Sequence, residues 1–340
     1  MSASLCLSIA PMMERTDRHF RYLMRLVSPN ARLYTEMITS AALLHGDAAR
    51  LLAFDPSEHP LAIQLGGADP AALARAAGLA ADAGYDEINL NVGCPSGRVQ
   101  AGEFGAQLML EPGRVADCVA AMRAATGLPV TVKTRIGVDE HDDHAVLHEL
   151  TTRVVDAGID GLIVHARKAW LKGLSPKQNR EVPPLDYARV WRLKSEFPML
   201  PIAINGGFAT EAEVLAQRGR VDGVMLGRSA YADPLLIGRL DALLYGLNAP
   251  ASVDEILARF ADYMRRELAT GTPLKLMSRH LLGLVTHRPG ARRWRQRLSA
   301  PGDRMDVIEE LQAELAGTVT GTRYNADFAG PPAVRASMRV

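Results

Sequence analysis

Eight short runs rich in Val, Ile and Leu, each followed by a helical pattern, set the strongest limit on how this 340-residue chain can fold. They are residues 5–12 (LCLSIAPM), 31–37 (ARLYTEM), 60–67 (PLAIQLGG), 87–94 (EINLNVGC), 129–137 (PVTVKTRIG), 161–167 (GLIVHAR), 201–207 (PIAINGG) and 223–228 (GVMLGR). The stretches between them, such as PAALARAAGLAADAGYD and EPGRVADCVAAMRAATG, are Ala/Leu-rich with helical spacing and a Gly near the end. Continuous apolar strands alternating with helices imply a parallel sheet covered on its outer face. Eight such units in about 230 residues match an α/β fold of the (β/α)8 TIM-barrel type. A doubly wound open sheet would usually place G-x-G-x-x-G after its first strand. Here the first strand ends in Pro11-Met12-Met13.

After Tyr245 the strands stop. GLNAPAS reads as a hinge, and the segments DEILARFADYMRRELATG, PLKLMSRHLLGLVT, GARRWRQRLSA and GDRMDVIEELQAELAGT carry helical periodicity alone. The expected organisation is a barrel over 1–245, a small all-α helical bundle over 246–317, and a loosely ordered tail over 318–340 with no assigned role.

Hydrophobic residues make up 48% and charged residues 23%, ordinary for a globular protein. The net charge of +1 advertises no polyanionic partner, but its distribution is uneven. From Gly246 onward there are 14 Lys/Arg against 10 Asp/Glu, and Lys275 to Arg297 holds seven basic residues and no acid. Cys6, Cys94 and Cys118 lie far apart without CxxC spacing, which suits a reducing cytoplasm and argues against a disulfide frame or a metal site. The apolar start, Ala3 to Met13, lacks a basic flank and a cleavage pattern and reads as a strand rather than a signal peptide. No run approaches the roughly 20 apolar residues that span a membrane.

In a barrel the chemistry sits at the C-terminal ends of the strands. Read in order, those ends carry Pro11-Met12-Met13, Glu36, Gln64, Asn91 with Cys94, Lys133 with Arg135, His165 with Arg167, Asn205-Gly206-Gly207, and Gly227-Arg228. A polar or reactive side chain at the same relative position of nearly every strand indicates an active site. The glycine-rich ends of the last two strands lie where such barrels hold a phosphate, with backbone N–H groups and a helix N-terminus around it. A ligand with a phosphate at that side and a flat ring across the mouth would reach Lys133, His165 and Gln64, and flavin mononucleotide (FMN) has that shape. Lys133 could then stabilise negative charge on the reduced ring. Schiff-base formation is its rival role. His165 and Gln64 would hydrogen-bond the ring or ribityl chain, and Pro11 to Met13 would floor it.

Cys94 ends the fourth strand in Gly93-Cys94-Pro95, an irregular turn that a core strand does not need. Cys6 and Cys118 instead read as small buried hydrophobes. A thiol with a reference pKa of about 8.5 is mostly protonated at neutral pH and can donate a proton.

Together, APMM, QLGG, NLNVGCPS with the trailing GEFGAQLM, VKTRIG, VHAR, INGG and MLGR resemble the tRNA-dihydrouridine synthase family. KAWLKGLSPKQNREVPPLDY resembles its A subfamily. The resemblance spans Leu5 to Leu315. It implies FMN, NADPH as reductant with no separate site for it, and reduction of uridines 20 and 20a in the tRNA D-loop to 5,6-dihydrouridine. By matching motif, Cys94 would protonate C5 while flavin N5 delivers hydride to C6. The FMN contacts would be Pro11, Met12, Met13, Gln64, Lys133, His165, Asn205, Gly206, Gly207, Gly227 and Arg228. Asn91 would face the uracil.

The residues argue for an RNA partner separately. A uridine must leave its stack to reach a barrel floor, and cations must meet the phosphates that accompany it. Arg292 and Arg295 share a helix face at i, i+3, and Lys168, Lys172, Lys177 and Arg180 crowd the loop after the sixth strand. Arg292, Arg295, Lys177 and Arg180 are the individual expectations for tRNA contact, with a cytoplasmic monomer as the expected state. Two other readings remain: an FMN-dependent, dihydroorotate dehydrogenase-like oxidoreductase of a free pyrimidine, and a tRNA-binding protein without catalysis.

Overall fold

The structure, a computed structural model, describes residues 5–96, 102–141, 144–246, 251–286, 290–302 and 305–321, the last helix without its side chains from 315 on. Eight parallel strands lie where the apolar runs place them: β1 (Cys6–Ile9), β2 (Leu33–Thr39), β3 (Leu61–Gly66), β4 (Glu87–Val92), β5 (Val130–Arg135), β6 (Gly161–His165), β7 (Ile202–Asn205) and β8 (Gly223–Leu226). From β2 to β8 each strand pairs with the next, and β8 pairs with β1. The ring closes between β1 and β2. There Ile9 N–H donates to the Arg32 carbonyl at 2.9 Å, and Arg32 N–H to the Leu7 carbonyl at 3.0 Å. The fold is a (β/α)8 barrel.

Alternation along each strand divides the side chains between two environments. Ile88, Leu90 and Val92 of β4 and Val130 and Val132 of β5 join the core beneath the helices. The intervening residues fill the barrel, and they differ around the ring. Ala10, Tyr34, Ala62, Ile163 and Met225 make a small apolar cluster. Gln64, Glu87, Asn89, Asn91 and Thr131 crowd the β3–β5 side with polar groups, all buried.

Helices beyond Ser252 pack against the start of the barrel. Val253–Ala269 begins with a capping box between Ser252 and Glu255 and buries Ile256, Leu257, Phe260, Ala261, Tyr263 and Met264. That face meets helix Arg18–Val27, where Tyr22 stacks on Tyr263 at 4.0 Å between centroids. Arg18 pairs with Glu267 through two N–H donors. Asp17 caps helix Arg18–Val27 through Phe20 N–H at 2.9 Å and also receives Arg279 and His280. Burial alone would raise the Asp17 carboxyl, but the hydrogen bond and charge of His280 hold it well below the usual carboxylate range. This latch docks the C-terminal helices onto the loop after β1, at the mouth of the barrel.

Candidate active site

The mouth is built from β-strand ends, so rigid ladders on both sides position each side chain. Lys133 lies opposite Asn91 in the β4–β5 register, and Arg135 lies opposite His165 in the β5–β6 register. Lys133 Nζ donates to Asn205 Oδ1 at 3.2 Å, and Asn205 Nδ2 donates to the Met225 carbonyl at 2.7 Å. Burial, helped by the charge of Arg135, pulls the Lys133 ammonium down to about 7. The same burial, with Arg135 and Lys133 nearby, keeps the His165 imidazole well below its ordinary value and therefore neutral at physiological pH. A lysine with spare donors beside a neutral imidazole suits a polar ligand able to accept a developing negative charge.

Cys94 is partly buried against the core, and its loop is fixed by the strand that precedes it. Asn91 Oδ1 accepts from Gly93 N–H at 3.1 Å and Cys94 N–H at 3.0 Å, while Asn91 Nδ2 donates to Gln64 Oε1 at 2.8 Å. The Cys94 carbonyl accepts from Ala106 N–H at 3.0 Å, and Sγ lies 3.6 Å from Ser96 Oγ. Cys94 is within electrostatic reach of Lys133, Arg135 and Arg180. Residues 97–101 of the glycine-rich loop lie outside the described residues. Cys118 is buried as expected, whereas Cys6, expected to be a buried hydrophobe too, is exposed at the first position of β1.

On the opposite side, Gly206 (φ +120°) and Gly207 (φ +82°) take a backbone conformation that side chains rarely adopt. A Cβ at Gly206 would lie 2.7 Å from His165 Cδ2, and one at Gly207 would lie 2.5 Å from Leu185 Cδ1. Tyr187 holds this turn by donating its hydroxyl to the Gly206 carbonyl at 2.6 Å. Of the two helices that follow, Glu211–Leu215 closes its own N-terminus with a Thr210–Glu213 capping box. Arg228–Ala232 has Gly227 as its cap, and among the described residues no side-chain cap hydrogen bond forms there. The open helix start is thus the one after β8. The Arg228 side chain itself turns to Glu181 Oε1 at 2.7 Å and to the Arg180 carbonyl at 3.0 Å. Pro11 and Met12 are partly buried in the loop after β1, whereas Met13 is 54% exposed and sits at the rim.

Lys177 and Arg180 are exposed around a short turn, Gln178–Arg180, over the mouth. Partial burial and the charges of Arg228 and Arg15 lower the Arg180 guanidinium, so three arginines converge there. Lys168 instead lies over the Trp170 ring at 4.1 Å and reaches the Asp139 carbonyl. In helix Ala291–Ser299, Trp294 is buried and its ring N–H donates to Glu314 at 3.0 Å. Arg293 pairs with Glu314 and Arg297 with Glu310, whereas Arg292 and Arg295 lie on the exposed face, Arg295 Nε donating to the Ala291 carbonyl of its own helix.

Two residues brace the site in ways the sequence reading did not show: Arg135, read there only as a strand-end cation, and Asn179, not singled out at all. Arg135, 4% exposed, braces the site by donating to the carbonyls of Gly93 (2.9 Å), Lys168 (3.0 Å) and Asn179 (3.0 Å). Asn179, fully buried, ties its loop with Oδ1 accepting from Trp170 N–H at 2.7 Å and Nδ2 donating to the Trp170 carbonyl at 2.8 Å. A buried Asn inside a lysine-rich loop leaves no periodic signal. The period-2 pair Asn89 and Asn91 carries a signal of an inward polar face on β4, of which the sequence reading used Asn91 alone.

Fold and site together define a barrel enzyme whose reactive groups converge at the C-terminal ends of its strands. The chain belongs to the dihydrouridine synthase family: a family model described as Dihydrouridine synthase (Dus) matches residues 8–319. It is 56% identical over 311 residues to a protein of Xanthomonas campestris pv. campestris, covering 90% of this chain and 92% of the relative. A relative from Vibrio cholerae is 49% identical over 321 residues, 93% of this chain and 98% of its own. One from Yersinia pestis is 52% identical over 313 residues, 90% of each chain. All three are named tRNA-dihydrouridine(20/20a) synthase. Among the described residues, no helix is long and apolar enough to cross a membrane.

Proposed function

We propose that this protein reduces uridines 20 and 20a in the D-loop of tRNA to 5,6-dihydrouridine, with FMN as its cofactor, NADPH as the reductant and the cytoplasm as its place of work. The observation that carries the reading is the joint placement of a partly buried thiol, a lysine with spare donors and a neutral imidazole at one mouth.

The groups present fit FMN. The Arg167 Nε is buried without a partner among the described residues, and the helix start at Arg228 is uncapped. Both suit an anion between the ends of β6 and β8. Lys133, His165, Gln64 and Asn205 supply polar contacts for a ring and its chain, while Pro11, Met12 and the backbone of Gly206, Gly207 and Gly227 complete the bed. When bound, FMN supplies a hydride to C6 of the uracil.

The protein's own part is to bind, orient and protonate. Cys94 Sγ holds the proton delivered to C5, on a loop fixed by Asn91 and Arg135. Lys133 carries a positive charge to the site where negative charge accumulates. Asn91 keeps one amide hydrogen beyond its bond to Gln64, and that donor faces the base. Arg180 at the mouth, with Arg15 and Lys177 near it and Arg292 and Arg295 on the C-terminal helices, meets phosphates of the extruded strand. The latch through Asp17 fixes those helices beside the mouth, so one RNA can touch both as a monomer is engaged.

The test is substrate dependence. Purified protein loaded with FMN and reduced by NADPH should be reoxidised by unmodified tRNA far faster than by free uracil, uridine or orotate. Reoxidation by a free pyrimidine, with tRNA inert, would replace this reading with the small-molecule alternative.

A further inference from the structure

A single hydrogen-bonded chain runs through the barrel from its floor to the Cys94 loop. At the floor, the Glu87 carboxylate pairs with Arg32 and accepts from Tyr34 OH at 2.7 Å and from Thr131 Oγ1 at 2.6 Å. Thr131 Oγ1 in turn accepts from Asn89 Nδ2 at 2.8 Å, and Asn89 Oδ1 accepts from Gln64 Nε2 at 2.8 Å. Gln64 Oε1 accepts from Asn91 Nδ2 at 2.8 Å, and Asn91 Oδ1 faces the N–H groups of Gly93 and Cys94. Glu87, Asn89, Gln64 and Thr131 are at most 6% exposed, so water does not compete for these bonds.

The chain has a direction, and both ends impose it. An ion-paired carboxylate only accepts, so the Thr131 hydroxyl must donate to it and offer a lone pair to its other neighbour. Asn89 therefore presents its NH2 group to Thr131, Gln64 its NH2 group to Asn89, and Asn91 its NH2 group to Gln64. The remaining oxygen of Asn91 is then aimed at two backbone donors that need an acceptor. A reversed amide anywhere would set donor against donor, or acceptor against acceptor, in a dry interior.

We propose that Glu87 is a positioning residue: acting through Thr131, it fixes the amide orientations of Asn89, Gln64 and Asn91, and so the placement of Cys94. The inference rests on the reading that Cys94 acts at this mouth, but one of its readouts does not.

The variant is Thr131→Val, which keeps the side chain's shape and removes its hydroxyl; Thr131→Ser restores the hydroxyl, and Glu87→Gln removes the fixed acceptor. Iodoacetamide alkylation of Cys94 is followed in flavin-free protein by mass spectrometry of its peptide. Thr131→Val and Glu87→Gln should alkylate at least fivefold faster than wild type as the loop loosens, and Thr131→Ser should stay within twofold. In single turnover with FMN-loaded protein, the same two variants should reduce tRNA at least tenfold more slowly with unchanged tRNA affinity. Alkylation within twofold of wild type for Thr131→Val, or equal rates for Thr131→Val and Thr131→Ser, would overturn the proposal. If wild type reduces no tRNA while the alkylation pattern holds, the functional reading fails and the positioning role stands.

Discussion

Lys133→Met should make the flavin-free protein more stable while removing its activity. The ammonium of Lys133 is pulled from the ordinary lysine value of 10.5 to about 7, mainly by burial. At 1.36 kcal/mol per pH unit, holding that group in the folded chain at pH 7 costs about 4 kcal/mol. Because the side chain keeps some contact with water and loses its bond to Asn205 in the variant, roughly 2–4 kcal/mol is the expected gain. Methionine retains most of the stem's volume and needs no proton. A chain of this size should gain roughly 3–6 °C in Tm at pH 7. The sign of the pH dependence follows from linkage: between about pH 7 and 10.5 the unfolded chain binds more protons at Lys133 than the folded one, so wild-type stability rises with pH there. The variant lacks that slope, so its advantage is full at pH 7 and gone by about pH 10.5. Calorimetry of flavin-free wild type and variant at pH 7, 8.5 and 10 measures this directly. A variant no more stable than wild type at pH 7, or an advantage constant with pH, would refute the claim that Lys133 is kept at a cost for its charge.

Gly206→Ala should weaken FMN retention at least tenfold on gel filtration, because its Cβ falls 2.7 Å from His165 Cδ2 at a φ of +120° and must displace that ring; the backbone strain adds about 1–2 kcal/mol of destabilisation, readable as a lower Tm. Arg292→Ala and Arg295→Ala should each weaken tRNA binding and lower the slope of log affinity against log salt by about one. Arg293→Ala and Arg297→Ala, whose guanidinium groups are committed to Glu314 and Glu310, should leave that slope nearly unchanged in the same titration.

Much of this was legible in the chain, and the reasons differ by element. The strands announced themselves because a parallel barrel buries both faces of each one, so every run is apolar at least at alternate positions. The active mouth was legible because polar residues recur at one relative position, strand after strand. Long-range pairing was not. Nothing local distinguishes Arg293, held by Glu314, from Arg292 one residue earlier, and Asp17 gives no sign that its partners are Arg279 and His280. Arg135 read as one more strand-end cation, yet three backbone carbonyls occupy it, a commitment visible only once β4 and the loop after β6 are side by side. The helix start expected to favour a phosphate was placed at both final strands, and Thr210 closes one of them.

The most direct measurement of the central claim is mass spectrometry of D-loop fragments of tRNA from cells lacking the gene, complemented with wild type or with Cys94→Ala. Loss of dihydrouridine at positions 20 and 20a in the deletion, full return with wild type, and little or none with the alanine variant is the predicted result. Dihydrouridine restored to wild-type levels by Cys94→Ala would contradict the role given to this thiol, and an unchanged D-loop in the deletion strain would contradict the function itself.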